Sequence, residues 1–310
     1  MRPCIPISKK TGLIIGQDLG SIRNYTRFFR LEQPIPFGQM VYSTLHSGAQ
    51  ELSGLWEPIE YGSGIQWSDG LLSSFPGSSI QLALYLVRQL EAINQGNFDS
   101  LIHQLTNYIK NTKAPFYIRI GYEFDLPGNA YDGDQYRLAF RRIVLLFRED
   151  EVQNVVFIWH SQGEIAQYDD WFPGREFVDL CGVSVFQQPY RCRWEGFGVC
   201  RMEGIESFFR FCQTRDIPLM IAESTPFGGI VVESEGINGA GFSGESWATW
   251  FVPVLSLIDR YDVRLWSYID NDWDFFPMWT DPRNHAPGVS WGDSRVEGEQ
   301  TTPCPLPRHH

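Results

Sequence analysis

Pro115-Phe-Tyr-Ile-Arg-Ile-Gly-Tyr-Glu123-Phe-Asp-Leu-Pro127 is an apolar, β-forming run, too short for a helix and stopped by an acid and a proline. It reads as a buried parallel strand ending on Glu123. Ile217-Pro-Leu-Met-Ile-Ala-Glu223-Ser-Thr-Pro226 has the same shape and ends on Glu223. Six further runs of this kind flank the pair: Leu13–Asp18, Gln39–Leu45, Ile80–Val87, Val155–His160, Cys181–Phe186 and Val263–Ile269. Helical periodicity fills the gaps at Asp99–Asn111, Gly133–Phe147, Gly204–Arg215 and Glu245–Asp259. In the first of these, Leu101, Ile102, Leu105, Tyr108 and Ile109 form one stripe and Asp99 is the expected cap. Eight strands alternating with helices predict a (β/α)8 barrel. A doubly wound open sheet is the competitor, and no Gly-rich phosphate loop follows any strand. The chain reads as one domain over 1–310, with a long mouth loop over 46–79 and an irregular tail over 275–310.

Composition narrows the partners. A formal charge of −12 argues against nucleic acid, anionic membranes and strongly anionic polymers. No apolar run is long enough to span a bilayer. The chain is rich in aromatics, with 11 Trp, 13 Tyr and 22 Phe, and Trp faces stack on sugar rings. Six cysteines suggest the pairs Cys192–Cys200 and Cys4–Cys304, with Cys181 and Cys212 either paired or buried as thiols. Disulfides imply an oxidising compartment, so a secreted, monomeric protein is expected, its leader absent from this chain. Asn24-Tyr-Thr26 is a lone glycosylation sequon.

Strand-end carboxylates at a barrel mouth are where catalysis usually sits, and two that face each other are the minimum machinery for cleaving a glycosidic bond. Strict alternation puts Tyr117, Arg119, Gly121 and Glu123 on one strand face, and Leu219, Ile221 and Glu223 on another. Arg119 then lies deep in the barrel, where a buried cation needs a carboxylate; Glu223 is the simplest partner. An adjacent cation favours an ionised nucleophile, while a carboxyl held against aromatic rings suits an acid.

Arg119-Ile-Gly-Tyr-Glu123, with Asn129-Ala-Tyr131 and the Tyr136…Ala-Phe-Arg-Arg142 helix after it, resembles glycoside hydrolase family 26 and its relatives among the retaining (β/α)8 β-glycosidases. The resemblance implies Glu123 at the end of strand four as acid/base and Glu223 at the end of strand seven as nucleophile. It also implies that Trp266, on strand eight, lies under the sugar. Tyr122 stands where that family carries His and most of its clan carries Asn. Retention is expected where the two carboxyl groups stand about 5–5.5 Å apart.

Other candidates come from strand ends. Trp159-His160 closes strand five, and one of the two faces the site; His160 as a metal ligand lacks a second ligand at suitable spacing. Gln17 and Asp18 close strand one as candidate hydroxyl contacts, and Gln187-Gln188 follows strand six. Asp125 reads as a turn residue or hydroxyl contact, and Glu164 as a rival acid. Trp56, Tyr61, Trp67, Trp273 and Trp279 are candidate subsite aromatics. No serine-hydrolase elbow, zinc-protease helix or P-loop is present, so neither metal nor cofactor is expected. The reading is a retaining β-glycoside hydrolase on a neutral mannan, xylan or glucan; the alternative is a sugar-binding barrel without turnover.

Overall fold

The computed structural model describes residues 10–29, 36–46, 51–163, 167–186, 201–230, 246–281 and 291–296. The pairs expected for Cys192–Cys200 and Cys4–Cys304, together with Glu164, Gln187 and Gln188, lie outside the described residues. Eight parallel strands close into a barrel: β1 (Gly12–Gly16), β2 (Gly38–Thr44), β3 (Ser79–Tyr85), β4 (Phe116–Ile120), β5 (Val155–Ser161), β6 (Leu180–Val185), β7 (Leu219–Ser224) and β8 (Leu265–Ile269). Each strand pairs with its neighbours in chain order, and β8 closes on β1 in the register Gly12↔Leu265 to Gly16↔Ile269. All eight overlap the runs expected from the sequence.

Two cores follow from period-two alternation. Outward residues such as Ile80, Leu82, Phe116, Ile118, Phe157 and Ile221 pack under the helices. Inward residues such as Ile14, Met40, Tyr117, Ile158, Leu180, Met220 and Leu265 fill the barrel. The amphipathic helices α1 (Asp99–Thr112) and α2 (Gly133–Glu149) cover the outer layer with Leu105, Ile109, Phe140 and Ile143. Asp132 caps α2 by accepting from Gln135 N at 2.9 Å. Asp99 is not the cap expected for α1: it is the first helical residue and instead accepts from Arg142 Nε at 2.8 Å, tying α1 to α2. The stretch 46–79, expected to be loop, holds a short hairpin (Ile59–Glu60 with Ile65–Gln66) and a helix, Ser68–Ser74. Cys181 on β6 is disulfide-bonded to Cys212 of the helix Arg201–Gln213, fastening that helix to the barrel.

Candidate active site

Both glutamates reach the rim through breaks in strand regularity. On β7, Leu219 and Ile221 face outward and Met220 and Ala222 face inward, the reverse of the expected alternation. A register shift then pairs Val183 with Ile221 but Ser184 with Glu223, leaving Ala222 as an extra residue. The bulge re-aims Glu223 into the barrel. Gly182 allows it, because a Cβ there would lie 2.7 Å from the Ala222 Cβ. On the other side β4 stops at Ile120, and Gly121 and Glu123 both take positive φ, 55° and 50°. A left-handed glutamate is strained by roughly 1 kcal/mol or more. Asn129 offsets this by donating from Nδ2 to the carbonyls of Tyr122 (3.1 Å) and Glu123 (2.9 Å). Phe124 N also donates to His160 O at 3.1 Å, docking the turn onto β5.

One oxygen of Glu123, one of Glu223 and a ring nitrogen of His160 all lie within 4.8 Å of one another, and all three residues are buried. Arg119, fully buried on β4, donates from Nη1 to Glu223 Oε2 at 2.6 Å. Its guanidinium carbon sits 5.1 Å from the ring centre of Tyr42 and 5.3 Å from that of Tyr122, cation–π contacts that hold the group in place. Burial works to lower the Arg119 pKa, and Glu223 and Tyr42 more than reverse it, so the cation is secure. The Tyr42 hydroxyl donates to the second oxygen, Glu223 Oε1. Burial first, then the Glu223 charge, pushes the Tyr42 phenol well above its ordinary value, so it stays a donor. Glu123 Oε1 accepts from Ser184 Oγ at 2.6 Å, and His160 Nε2 lies 3.0 Å from the same hydroxyl. Burial, followed by Arg119, drives the His160 pKa well below its ordinary value and keeps the ring neutral.

The donor set suits proton chemistry better than a cation. Both Glu223 oxygens are engaged by Arg119 and Tyr42, and the guanidinium would repel a dication from the shared space.

Several expected residues stand elsewhere. Trp159 faces outward, its ring stacked 4.7 Å from Phe124 and packed on Phe172, Phe208 and Phe211, so His160 is the residue of that pair that enters the site. Trp266 is the second residue of β8 and also points outward, donating to Ser224 Oγ at 2.9 Å beside Tyr268. Trp273, in the turn four residues past the end of β8, is buried in the same inner core as Ile269 and Phe186, with the rings of Trp279 and Trp291 each 4.8 Å away. Asp18 caps the helix Leu19–Phe28, accepting from Gly20 N, Ser21 N and Ser21 Oγ. Desolvation raises its pKa to about 6, only partly countered by those bonds. Gln17 follows a cis Gly16–Gln17 peptide, is buried, and accepts on its carbonyl from Gln66 Nε2 at 2.9 Å. Asp125 is a turn residue: it accepts from Ser161 Oγ at 2.6 Å and from Gln162 N, locking the β4 turn to the end of β5. Of the loop aromatics, Tyr61 bonds Ser53, while Trp67 donates to the carbonyl of Trp56, which packs on Tyr108.

Tyr42 and Ser184 join the site without having been expected there. Tyr42 follows Gly38 and Met40 at inward spacing on β2, a weak signal that alternation carries. Ser184 follows Leu180 and Gly182 in the same way on β6.

A (β/α)8 barrel with two buried carboxylates converging at the C-terminal rim is the architecture of a large class of hydrolytic enzymes. A family model described as Glycosyl hydrolase family 26 matches residues 98–214, which include Arg119 and Glu123 and stop short of Glu223. A beta-1,3-xylanase from Alcaligenes sp is 26% identical over 298 residues, covering 91% of this chain and 60% of that protein. Beta-1,3-xylanase TXYA from Vibrio sp is 24% identical over 298 residues, covering 91% and 61%. This chain therefore spans about 60% of the length of these curated relatives. In fold it is similar to a GH26 beta-mannanase from Bacteroides ovatus, with a TM-score of 0.57 at 13% identity over 84% of this chain and 81% of that one. It is similar also to the YdhT protein from Bacillus subtilis, with a TM-score of 0.55 at 11% identity over 93% and 88%. The chain is glycoside hydrolase family 26-like.

Proposed function

We propose that this chain is a retaining β-glycoside hydrolase that cleaves a neutral polysaccharide by double displacement. Glu223 attacks the anomeric carbon while Glu123 protonates the departing glycosidic oxygen. Water, deprotonated by Glu123, then releases the glycosyl group from Glu223. The observation that carries this reading is the approach of the two carboxylates to within 4.8 Å, oxygen to oxygen. An inverting pair needs about 6.5–9.5 Å to admit a water between them.

Each neighbour has a task in this scheme. Arg119 and Tyr42 hold both Glu223 oxygens, so the attacking carboxylate is oriented before substrate arrives. Tyr122, its ring edge-on to Tyr42, occupies the position beside Glu123 and helps wall the sugar site. Trp279 and Trp291, half-buried on the buried Trp273, supply apolar surface beside it. No cofactor is required.

β-1,3-Xylan is the first substrate to test, because the curated relatives matched across 91% of this chain are beta-1,3-xylanases. A polymeric substrate and the Cys181–Cys212 disulfide both fit action outside the cell. The test is a panel of β-1,3-xylan, β-1,4-xylan, mannan and β-glucan, with wild type, Glu123→Ala and Glu223→Ala assayed for reducing ends. We expect release from at least one polymer and a loss of roughly 10³-fold or more in Glu223→Ala. Equal behaviour of wild type and Glu223→Ala on every polymer would favour a sugar-binding barrel without turnover.

A further inference from the structure

We propose that Ser184 and His160 are positioning residues for Glu123, a directed hydrogen-bond relay that decides which of its carboxyl oxygens carries the catalytic proton. The inference rests on the acid/base role given to Glu123 above.

The direction of the relay follows from hydrogen counting. His160 is neutral and fully buried, so one ring nitrogen carries a hydrogen and the other a lone pair. Its Nδ1 has no hydrogen-bond partner among the described residues. Leaving a buried N–H unmet costs more than leaving a lone pair unmet, so the hydrogen sits on Nε2. Nε2–H then donates to Ser184 Oγ across 3.0 Å. That occupies an Oγ lone pair and turns the Ser184 hydroxyl hydrogen toward Glu123 Oε1, 2.6 Å away. Oε1 is therefore an acceptor in both protonation states of Glu123. The transferable proton rides on Oε2.

The surroundings give this bond its weight. Near the Glu123 carboxyl stand Tyr122 from the turn after β4, Tyr131 further along the chain and Glu223 from β7, with Arg119 and Tyr42 on the far side, bonded to Glu223. Arg119 and Tyr42 are both committed to Glu223. Ser184 thus brings to Glu123 a donor that the Glu223 network does not share. A donor on the carboxylate favours its ionised form, so removing it raises the pKa of the acid.

The experiment pairs two substrates, β-1,3-xylan and 2,4-dinitrophenyl β-xylobioside, whose leaving group departs without protonation. Ser184→Ala should lose about 10–100-fold in kcat/KM on xylan with KM little changed, and little on the aryl glycoside. Its basic limb of kcat/KM on xylan should move to higher pH. Ser184→Thr should restore both readouts, and His160→Phe should shift them in the same direction by less. Should Ser184→Ala not fold, Ser184→Cys, a near-isostere with a weak donor, is read by the same assays. An equal loss on both substrates, or a basic limb that does not move, overturns the relay. Glu123→Ala separates the two claims. If it is dead on xylan and active on the aryl glycoside while Ser184→Ala matches wild type, only the relay falls. If it keeps wild-type activity on xylan, the acid/base role falls with it.

Discussion

Arg119 and Glu223 meet at 2.6 Å in the barrel interior, the guanidinium fully buried and the carboxylate side chain 10% exposed. The pair costs desolvation on both sides and, in the proposed mechanism, orients the nucleophile in return. Removing one partner leaves a buried charge alone. Arg119→Ala should therefore destabilise the fold by about 3–5 kcal/mol. Adding Glu223→Ala should recover part of that loss rather than add to it. Urea unfolding of the two single variants and the double variant checks this; additive losses would mean the pair is not coupled.

Tyr42 and Trp159 separate function from packing. Tyr42→Phe removes a hydroxyl that donates to Glu223 and leaves the ring. It should cost tenfold or more in kcat/KM, on the order of 1.4 kcal/mol, with little change in melting temperature. Trp159→Ala removes a ring buried among Phe124, Phe172, Phe208 and Phe211. It should cost about 3–5 kcal/mol of stability, with kcat/KM at permissive temperature within a few-fold of wild type. Measuring both parameters for both variants tests the outward placement of strand five's tryptophan.

Asp18 predicts an acid-side stability dependence of unusual sign. Burial lifts its pKa from 3.8 to about 6 in the folded state. The folded chain then holds the proton more tightly than the unfolded chain does. Stability from this group is fully present below about pH 4 and is lost as pH rises toward 6, by roughly 3 kcal/mol in total. Asp18→Asn keeps a capping side chain and removes the titration. Its melting temperature should fall less between pH 4 and 6 than that of wild type; parallel curves would contradict the assignment.

The Cys181–Cys212 bond closes a separation of 31 residues. Cys181→Ala with Cys212→Ala should lower stability by roughly 2–4 kcal/mol. Denaturant unfolding, with and without reductant, checks that the same loss follows reduction of wild type.

The barrel was legible because eight buried runs alternate with amphipathic helices, a pattern few folds share. Both glutamates were legible because strand ends are where apolar runs meet turn chemistry. How Glu223 reaches the interior was not. Alternation placed Leu219 and Ile221 inside, and a bulge at Ala222 reversed the parity, which no local residue pattern signals. Trp266 misled for the reason that a large ring suits either face of a strand, and its position near the start of β8 depends on where that strand begins. Tyr42 and Ser184 escaped notice because a polar residue inside a strand reads as edge or turn until its partner across the barrel is known. Their partners lie 181 and 61 residues away in the chain.

In the proposed mechanism Glu123 and Glu223 act as acid/base and nucleophile on opposite sides of one anomeric carbon. Proton NMR of the first sugar released from the fastest-cleaved polymer of the panel tests this most directly. Under double displacement the β-anomer forms first and only later mutarotates. An initial α-anomer would contradict it, since a single displacement by water would then have replaced the glycosyl-Glu223 intermediate.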